Sequence, residues 1–221
     1  ATLFFIYFRN RKGNEKKKDE VVEEEGNQAN LSPYKDVPFM LFSVLSCIFA
    51  ICFLQLLSTL PLYYRNVYKM TEAEIGIILA FSGLVVFSLE MLVVHIAEKR
   101  FTARTVIVAG TVLCALSFLV LNLAKGIPVL YLSMFIICLA EILAMPFMAT
   151  VTLQRSSLKK RGAYMGINAL SFSVAHIFSP LVGTRVAAQF GFETLWWGTV
   201  AALTLASIGF FFVMKQMKLS A

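Results

Sequence analysis

Six apolar stretches between residues 39 and 214 constrain the fold of this chain more than any other feature. Each is close to the ~20 residues that a helix needs to cross a bilayer. Backbone groups in lipid must be paired within their own segment, and these stretches lack the alternation of a barrel strand, so all six are predicted to be helices. The predicted spans are 39–62, 75–96, 105–123, 127–153, 164–189 and 195–214.

The composition agrees with this interpretation. Hydrophobic residues make up 58% of the chain, whereas a soluble domain uses about 45–50%. The predicted fold class is therefore an all-α membrane protein with six transmembrane helices, for which the lipid bilayer is the first expected partner.

The net charge of +7 raises the question of nucleic acid, but the position of the basic residues argues against that partner. Sixteen of the 20 lysines and arginines lie before the first span, in the second and fourth loops and in the tail. By the positive-inside rule these parts, including both termini, are predicted to be cytoplasmic. The sixteen are Arg9, Arg11, Lys12, Lys16, Lys17, Lys18, Lys35, Lys99, Arg100, Arg104, Arg155, Lys159, Lys160, Arg161, Lys215 and Lys218.

The first eight residues, Ala1 to Phe8, are apolar but too short to cross a membrane, and Arg9 follows them at once. They are interpreted as the end of a preceding transmembrane helix, which makes this chain the C-terminal part of a longer protein. A signal peptide would place its charges before the apolar run. Residues 9–37 are predicted to be a polar cytoplasmic linker, 38–214 a transmembrane bundle and 215–221 a cytoplasmic tail.

No pattern in the sequence indicates an enzyme, a metal site or a cofactor. The four cysteines fall inside apolar spans at spacings that match no zinc or redox motif. A phosphate-binding glycine loop, a metalloprotease helix and a nucleophile elbow are all missing from the sequence. Any energy source is therefore expected to be an ion gradient.

Two carboxylates, Glu90 and Glu141, lie well inside the spans, where charge is costly and usually functional. Removal from water disfavours the charged form, so Glu141 is a candidate for proton exchange near neutral pH. A helical wheel places it beside flexible thioethers that suit apolar molecules of varied shape. The alternative is that these residues are ordinary packing and that Glu141 makes a static hydrogen bond. Its neighbours in facing are Met134, Ile137, Cys138, Ala144, Met145, Met148 and Thr152.

Prolines lie near mid-membrane in the fourth and fifth spans. Pro146 and Pro180 each remove a helical hydrogen bond, so a kink or break is expected at both. The fifth span also carries His176 on a face of polar and small residues, namely Asn168, Ser171, Ala175, Ser179 and Gly183. Ser179 and Gly183, four residues apart, predict close helix packing. His176 is a candidate proton carrier, with a structural role as the alternative.

Several segments resemble one known family. The segments are 140–146 (Ala-Glu-Ile-Leu-Ala-Met-Pro), 160–166 (Lys-Arg-Gly-Ala-Tyr-Met-Gly), 179–183 and 191–197. Together with the six spans and the polar linker, they resemble the C-terminal half of major facilitator superfamily transporters, and most of all bacterial drug:proton antiporters. The loop 97–104 departs from the family pattern, because Phe101 stands where a glycine is usual.

The resemblance implies one six-helix half of a carrier whose substrate binds between two halves. The expected partners are an N-terminal six-helix half, protons and a small organic substrate, in a plasma or bacterial inner membrane. Two copies of the chain would have to associate if no such half exists. The candidates for proton coupling are Glu141, Glu90 and His176, and those for the substrate cavity are Gln55, Met134, Cys138, Met145, Met148, Asn168, Ser171 and Ser179.

The leading prediction is proton-coupled export of amphipathic or cationic organic compounds. Proton-coupled oligopeptide transporters, a sister group, also carry a glutamate followed by a proline in the equivalent helix and a glutamine in the first helix of this half, as Gln55 would be. Proton-coupled peptide import is thus the alternative. A non-transporting membrane scaffold is the alternative from another class.

Overall fold

Helices account for nearly all of the residues that the structure describes. The structure is a computed structural model that describes residues 32–217, and no strand occurs within that range. A 3₁₀ turn, Pro33–Lys35, precedes the helices. These are α1 (Val37–Phe53), α2 (Gln55–Tyr68), α3 (Glu72–Arg100), α4 (Ala103–Leu123), α5 (Ile127–Arg155) and α6 (Arg161–Gln216). The all-α membrane fold predicted from the sequence is confirmed.

Capping residues explain where several helices begin. The Thr71 side chain accepts a hydrogen bond from the backbone N–H of Glu74, and the Glu74 carboxylate accepts one from the N–H of Thr71, which forms a capping box at the start of α3. Thr102 caps α4 by accepting from the N–H of Thr105. These caps keep the connections between consecutive helices short.

Within residues 32–217, five helical stretches are long and apolar enough to cross a membrane, judged by length and composition. The last of them, α6, has 56 residues and contains both the fifth and the sixth predicted spans. Its backbone is non-helical at Gly191, where φ is +84°. Glycine adopts positive φ without the steric cost that a side chain would bring. Gly191 therefore divides α6 into a first arm, 161–190, and a second arm, 192–216.

Contacts with α1 and α2 fix the direction of the first arm. The Tyr164 ring lies 4.4 Å from that of Phe39, measured between centroids. Further along, Gly183 is so close to Thr59 that a Cβ atom on it would collide with the hydroxyl. The two pairs follow the same order along both segments, so the first arm runs parallel to α1 and α2. The close packing that Ser179 and Gly183 predict is confirmed at Gly183.

The second arm runs the opposite way along the same helices. Thr199, near its start, bonds to Gln55, and Phe210, near its end, packs with Phe42 at 5.5 Å between ring centroids. The order along α1 and α2 is reversed, so α6 is a hairpin that turns at Gly191. The last two of the six predicted membrane crossings thus lie in a single helical element, α6.

The first predicted span is divided at Leu54, which separates α1 from α2. Leu54 has φ −67° and ψ −6°, and it still donates its N–H to the carbonyl of Ala50. The sequence did not predict this interruption. Its consequence is that Gln55 lies at the first position of a new helix in the middle of the span.

The helices differ in how much of their surface is buried against other helices. Helix α4 packs against α5 and α6, and α1 packs against α6, whereas α3 packs mainly on α5 and is the least buried of the long helices. The α4–α5 crossing is close at Gly110, because a Cβ there would lie 3.0 Å from the Cβ of Ala144 and 3.1 Å from the carbonyl oxygen of Ala140. Small residues at this crossing bring the two backbones together.

The structure describes part of the predicted segments. Residues 1–8, most of the predicted linker 9–37 and residues 218–221 lie outside the described residues. The last residues of the predicted linker form the 3₁₀ turn, and Asp36 among them is buried. Helix α6 extends to Gln216, two residues beyond the predicted end of the bundle.

Candidate functional site

Glu90 and Glu141, the two carboxylates predicted for proton coupling, are brought near each other by the packing of α3 on α5. Their helices pack on each other, and Glu90 acts on Glu141 as a neighbouring negative charge. Glu141 is half-buried and Glu90 is exposed on the least covered helix. Among the residues described, neither forms a salt bridge with a basic side chain. The structure thus contains a pair of like charges at a depth where charge is costly.

Two contacts hold α3 against α5 near this pair. The Cys138 thiol donates to the carbonyl oxygen of Ser82 over 3.7 Å, which is a weak hydrogen bond. The rings of Phe81 and Tyr131 meet edge to face at 5.4 Å between centroids. Both contacts involve residues that come before the glutamates in α3 and α5. They hold the two helices together at this end of the interface, whereas Glu90 lies further along α3.

The methionine stripe expected beside Glu141 lies mostly in the packed interior. Met134, Cys138 and Met148 are fully buried, and Met145 is half-buried. A helical wheel groups residues by facing, but both the interior and the lipid side of a membrane helix are apolar, so the wheel could not tell which side was covered. Contact between a substrate and the three buried residues would require the bundle packing to open.

The polar candidates of the first and fifth spans are also buried between helices. Gln55 donates from Nε2 to Thr199 Oγ1 over 3.2 Å, and Ser171 donates to the carbonyl of Ile167. Neither Oε1 of Gln55 nor Oγ of Ser179 has a hydrogen-bond partner among the residues described. Asn168 is half-buried and stays a candidate at the surface. The polar face of the first arm therefore points mainly into the bundle.

His176, the third candidate for proton coupling, is exposed. Its Nδ1 lies 2.8 Å from the carbonyl oxygen of Phe172, one turn earlier. A carbonyl can only accept, so Nδ1 carries the proton in this contact and Nε2 is left as the second polar atom of the ring. The contact is within one helix and does not join His176 to either glutamate.

Neither Pro146 nor Pro180 interrupts its helix, although a kink or break was expected at both. Helix α5 continues through Pro146, and the first arm of α6 continues through Pro180. Thr150 donates to the carbonyl of Pro146 over 2.9 Å, and Thr184 donates to that of Pro180 over 2.6 Å. Both are side-chain bonds to the carbonyl of the proline itself, and they do not reach the carbonyls of Ile142 and His176, which lack a proline N–H as donor.

A buried ion pair at the Asp36 end of the bundle was missed by sequence reasoning. Arg155 donates to both carboxylate oxygens of Asp36, from Nε over 2.8 Å and from a terminal nitrogen over 3.1 Å. The Tyr164 hydroxyl donates to the same carboxylate over 3.1 Å, and the N–H of Phe39 does so over 3.4 Å. We name Asp36, Arg155 and Tyr164 the end cluster.

The end cluster sets the charge state of Asp36. Burial raises the pKa of Asp36, but hydrogen bonds and charge from Arg155, with hydrogen bonds from Tyr164 and Phe39, outweigh it and hold the pKa below its ordinary value. The carboxylate is therefore ionised at neutral pH. It ties the start of α1 to the end of α5 and the start of α6.

Metal ligation has no candidate in residues 32–217, where no three His, Cys, Asp or Glu side chains come together. The polar groups that remain near the middle of the spans are the two glutamates, His176, and the buried amide and hydroxyls beside Gln55. Such groups can exchange protons or hydrogen-bond a small molecule, and these are the chemical roles open to the site.

Comparison with known families identifies the fold. The family model of the Major Facilitator Superfamily matches residues 69–218, well over half of the chain. The chain belongs to the major facilitator superfamily. It is therefore a multi-pass membrane protein with a transporter fold, as the sequence resemblance implied. A search among curated proteins finds no match.

Solved structures agree on the fold. One is the peptide transporter POT in a glutamate-to-glutamine mutant form with sulfate, which superposes with a TM-score of 0.68 at 18% identity. Another is the same mutant with alafosfalin, at a TM-score of 0.64 and 17% identity. In both comparisons the match covers 80% of this chain and 37% of the solved chain. The chain thus corresponds to little more than a third of these transporters.

Proposed function

We propose that this chain is one half of a proton-coupled secondary transporter. The observation that carries the proposal is the pair formed by Glu90 and Glu141, whose charges repel and which lack a basic partner among the residues described. Two neighbouring carboxylates resist ionising together, so binding of one proton relieves their repulsion. Gain and loss of that proton would then accompany the change between the two states of the carrier.

The rest of the proposed transporter is a second six-helix half, and the substrate would bind between the halves near mid-depth. Glu141 is the leading proton site because it is half-buried, and Glu90 and His176 assist at more exposed positions. Met145 and Asn168 are the cavity candidates that retain some exposure. We place the protein in the plasma or bacterial inner membrane with both termini cytoplasmic, on the basis of the basic loops.

The proposed substrates are amphipathic or cationic organic compounds that leave the cell in exchange for protons. An acidic pair attracts a cation, and proton and cation would compete for the same carboxylates. A second candidate is import of short peptides. It is favoured by the glutamate and proline in α5, by the buried Gln55 in the first span, and by the fold shared with solved structures described as peptide transporters.

The test is transport by the protein that contains both halves, reconstituted in proteoliposomes with an imposed pH gradient. Glu141→Gln removes the titratable proton and keeps the size of the side chain, so gradient-driven flux should fall by about tenfold or more, in the range that loss of a proton-transfer group causes. Glu72→Gln is the matched control, because Glu72 is a highly exposed glutamate at the start of α3. Its flux should stay at the wild-type level.

Unaltered gradient-driven flux in Glu141→Gln would remove Glu141 from the mechanism. Competition between lipophilic cations and di- or tripeptides would separate export of cations from import of peptides. Full transport after apolar replacement of Glu90, Glu141 and His176 together would contradict proton coupling by these groups, and the absence of any transport by the wild type would favour a scaffold.

A further inference from the structure

An apolar crevice opens between α3, α4 and α5. Its volume is about 240 Å³. Leu143, which contributes from α5, is two residues from Glu141, so the two side chains point about 200° apart around the helix. The crevice therefore lies on the far side of α5 from Glu141, whereas on α3 its lining residues Val93 and Ala97 share the face that carries Glu90. Its lining residues are Val93, Ile96, Ala97, Phe101, Thr105, Val106, Ala109 and Leu143.

The lining excludes a polar ligand but suits a hydrocarbon chain. Thr105 carries the only polar side chain, and its hydroxyl already bonds to that of Thr102 over 3.0 Å. Along α3 the lining begins at Val93, seven residues before the helix ends at Arg100, which corresponds to about 10 Å. The crevice thus extends from the end of a membrane-spanning helix into the depth occupied by lipid chains.

Basic residues end α3 next to the lining residues Ala97 and Phe101, at what we call the mouth of the crevice. Lys99 and Arg100 end α3, both are exposed, and neither pairs with a carboxylate of residues 32–217. Glu98 and His95 are the other ionisable groups nearby on α3 and are exposed as well. Arg104 lies over the Phe211 ring at 5.0 Å and is directed toward α6. The mouth therefore carries a net positive charge next to an apolar slot.

We propose that this crevice binds an anionic phospholipid, with one acyl chain in the slot and the phosphate on Lys99 and Arg100. The two parts of the lipid match the two parts of the site. The acyl chain would contact apolar side chains, and the phosphate would contact Lys99 and Arg100 at the membrane surface. A zwitterionic lipid would fill the slot with the same chain but gain less from the two cations.

The test is native mass spectrometry of the purified protein after equilibration with an equimolar mixture of phosphatidylglycerol and phosphatidylcholine that carry the same acyl chains. Phosphatidylglycerol should be retained in preference, by on the order of fivefold for each basic residue that contacts it. Lys99→Gln with Arg100→Gln should abolish the preference. Lys159→Gln, at an exposed position in another connection, should keep it. Equal retention of both lipids by the wild type would overturn the proposal.

A second pair of variants tests the slot itself. Ala109→Trp fills the crevice and should reduce retention of both lipids several-fold, whereas Leu116→Trp, two turns along the same exposed face of α4, should not. Thermal unfolding checks that each variant is folded. Thr105→Phe, at an exposed position of the lining, replaces Ala109→Trp if that variant does not fold. Wild-type retention in a folded variant with a filled slot would refute the proposal.

Discussion

Replacement of Asp36 by asparagine tests the reasoning about the end cluster. The Asp36 side chain is 3% exposed and that of Arg155 is 14% exposed, so water can do little to solvate either charge if the other is lost. Asparagine keeps the size of the side chain and one oxygen that can cap α1. It removes the negative charge and one of the oxygens that Arg155 contacts. The change therefore isolates the ionic part of the cluster.

The expected cost follows from the geometry. Loss of one partner from a buried pair destabilises a protein by about 3–5 kcal/mol. Asparagine retains part of the hydrogen bonding, which is worth about 1 kcal/mol per bond, so we expect a loss of about 2–3 kcal/mol in the free energy of unfolding. For a protein of this length that corresponds to a fall in Tm of roughly 5–10 °C.

The assay is thermal unfolding of the purified protein in detergent, followed by tryptophan fluorescence. Tyr164→Phe removes one hydrogen bond to Asp36 and should cost about 1 kcal/mol. Glu193→Gln removes an exposed partner of Lys125 at 3.8 Å and should change stability by less than about 0.5 kcal/mol. In an Arg155→Gln background, Asp36→Asn should cost much less than in the wild type. A Tm for Asp36→Asn equal to that of Glu193→Gln would refute the argument.

The same cluster predicts a dependence on pH. The pKa of Asp36 is lowered in the folded state, so its contribution to stability is complete above the unfolded value, near 3.9. It is lost as the pH falls below that value and through the folded pKa. The difference in Tm between wild type and Asp36→Asn should therefore be constant from neutral pH down to about pH 5 and should shrink in stronger acid.

Two substitutions test close packing of the helices. Gly110→Leu should destabilise the protein by about 1–3 kcal/mol, because its side chain would overlap Ala144, while Gly83→Leu should have little effect since its Cβ meets nothing within 4 Å. Gly183→Ala should also destabilise, and Thr59→Ala should restore part of the loss by removing the hydroxyl that it would strike. Thermal unfolding measures both, and equal Tm values at Gly110 and Gly83, or no rescue at Thr59, would contradict the packing described.

The sequence predicted the helices well because lipid imposes a strict rule on backbone groups. Every span from 39 to 214 could be located from length and apolar content alone. The break at Gly191 lies in the gap between the predicted spans 164–189 and 195–214. The interruption at Leu54 was not predicted, since Leu54 is an ordinary apolar residue within a continuous apolar stretch. The prolines, which did suggest interruptions, lie in continuous helices.

The candidate site was predicted only where charge marks it. Glu90 and Glu141 could be found because carboxylates are costly at membrane depth, but that they lie near each other depends on the register of α3 against α5. The inward direction of Met134 and Met148 also depends on packing, which an apolar stripe does not reveal. Asp36 and Arg155 are 119 residues apart, and no local pattern connects them.

The turn at Gly191 determines how the two arms of α6 can move relative to each other. The two arms of α6 are joined without a loop. One arm can therefore rotate relative to the other only through the backbone torsion angles of Gly191. Beyond the turn, the carbonyl of Glu193 accepts from Asn122 over 3.3 Å and its carboxylate lies 3.8 Å from Lys125. The second arm thus contacts the α4–α5 connection just beyond the turn, while the first arm is held by Asp36 and Thr59, so contacts on both sides restrain rotation at this joint.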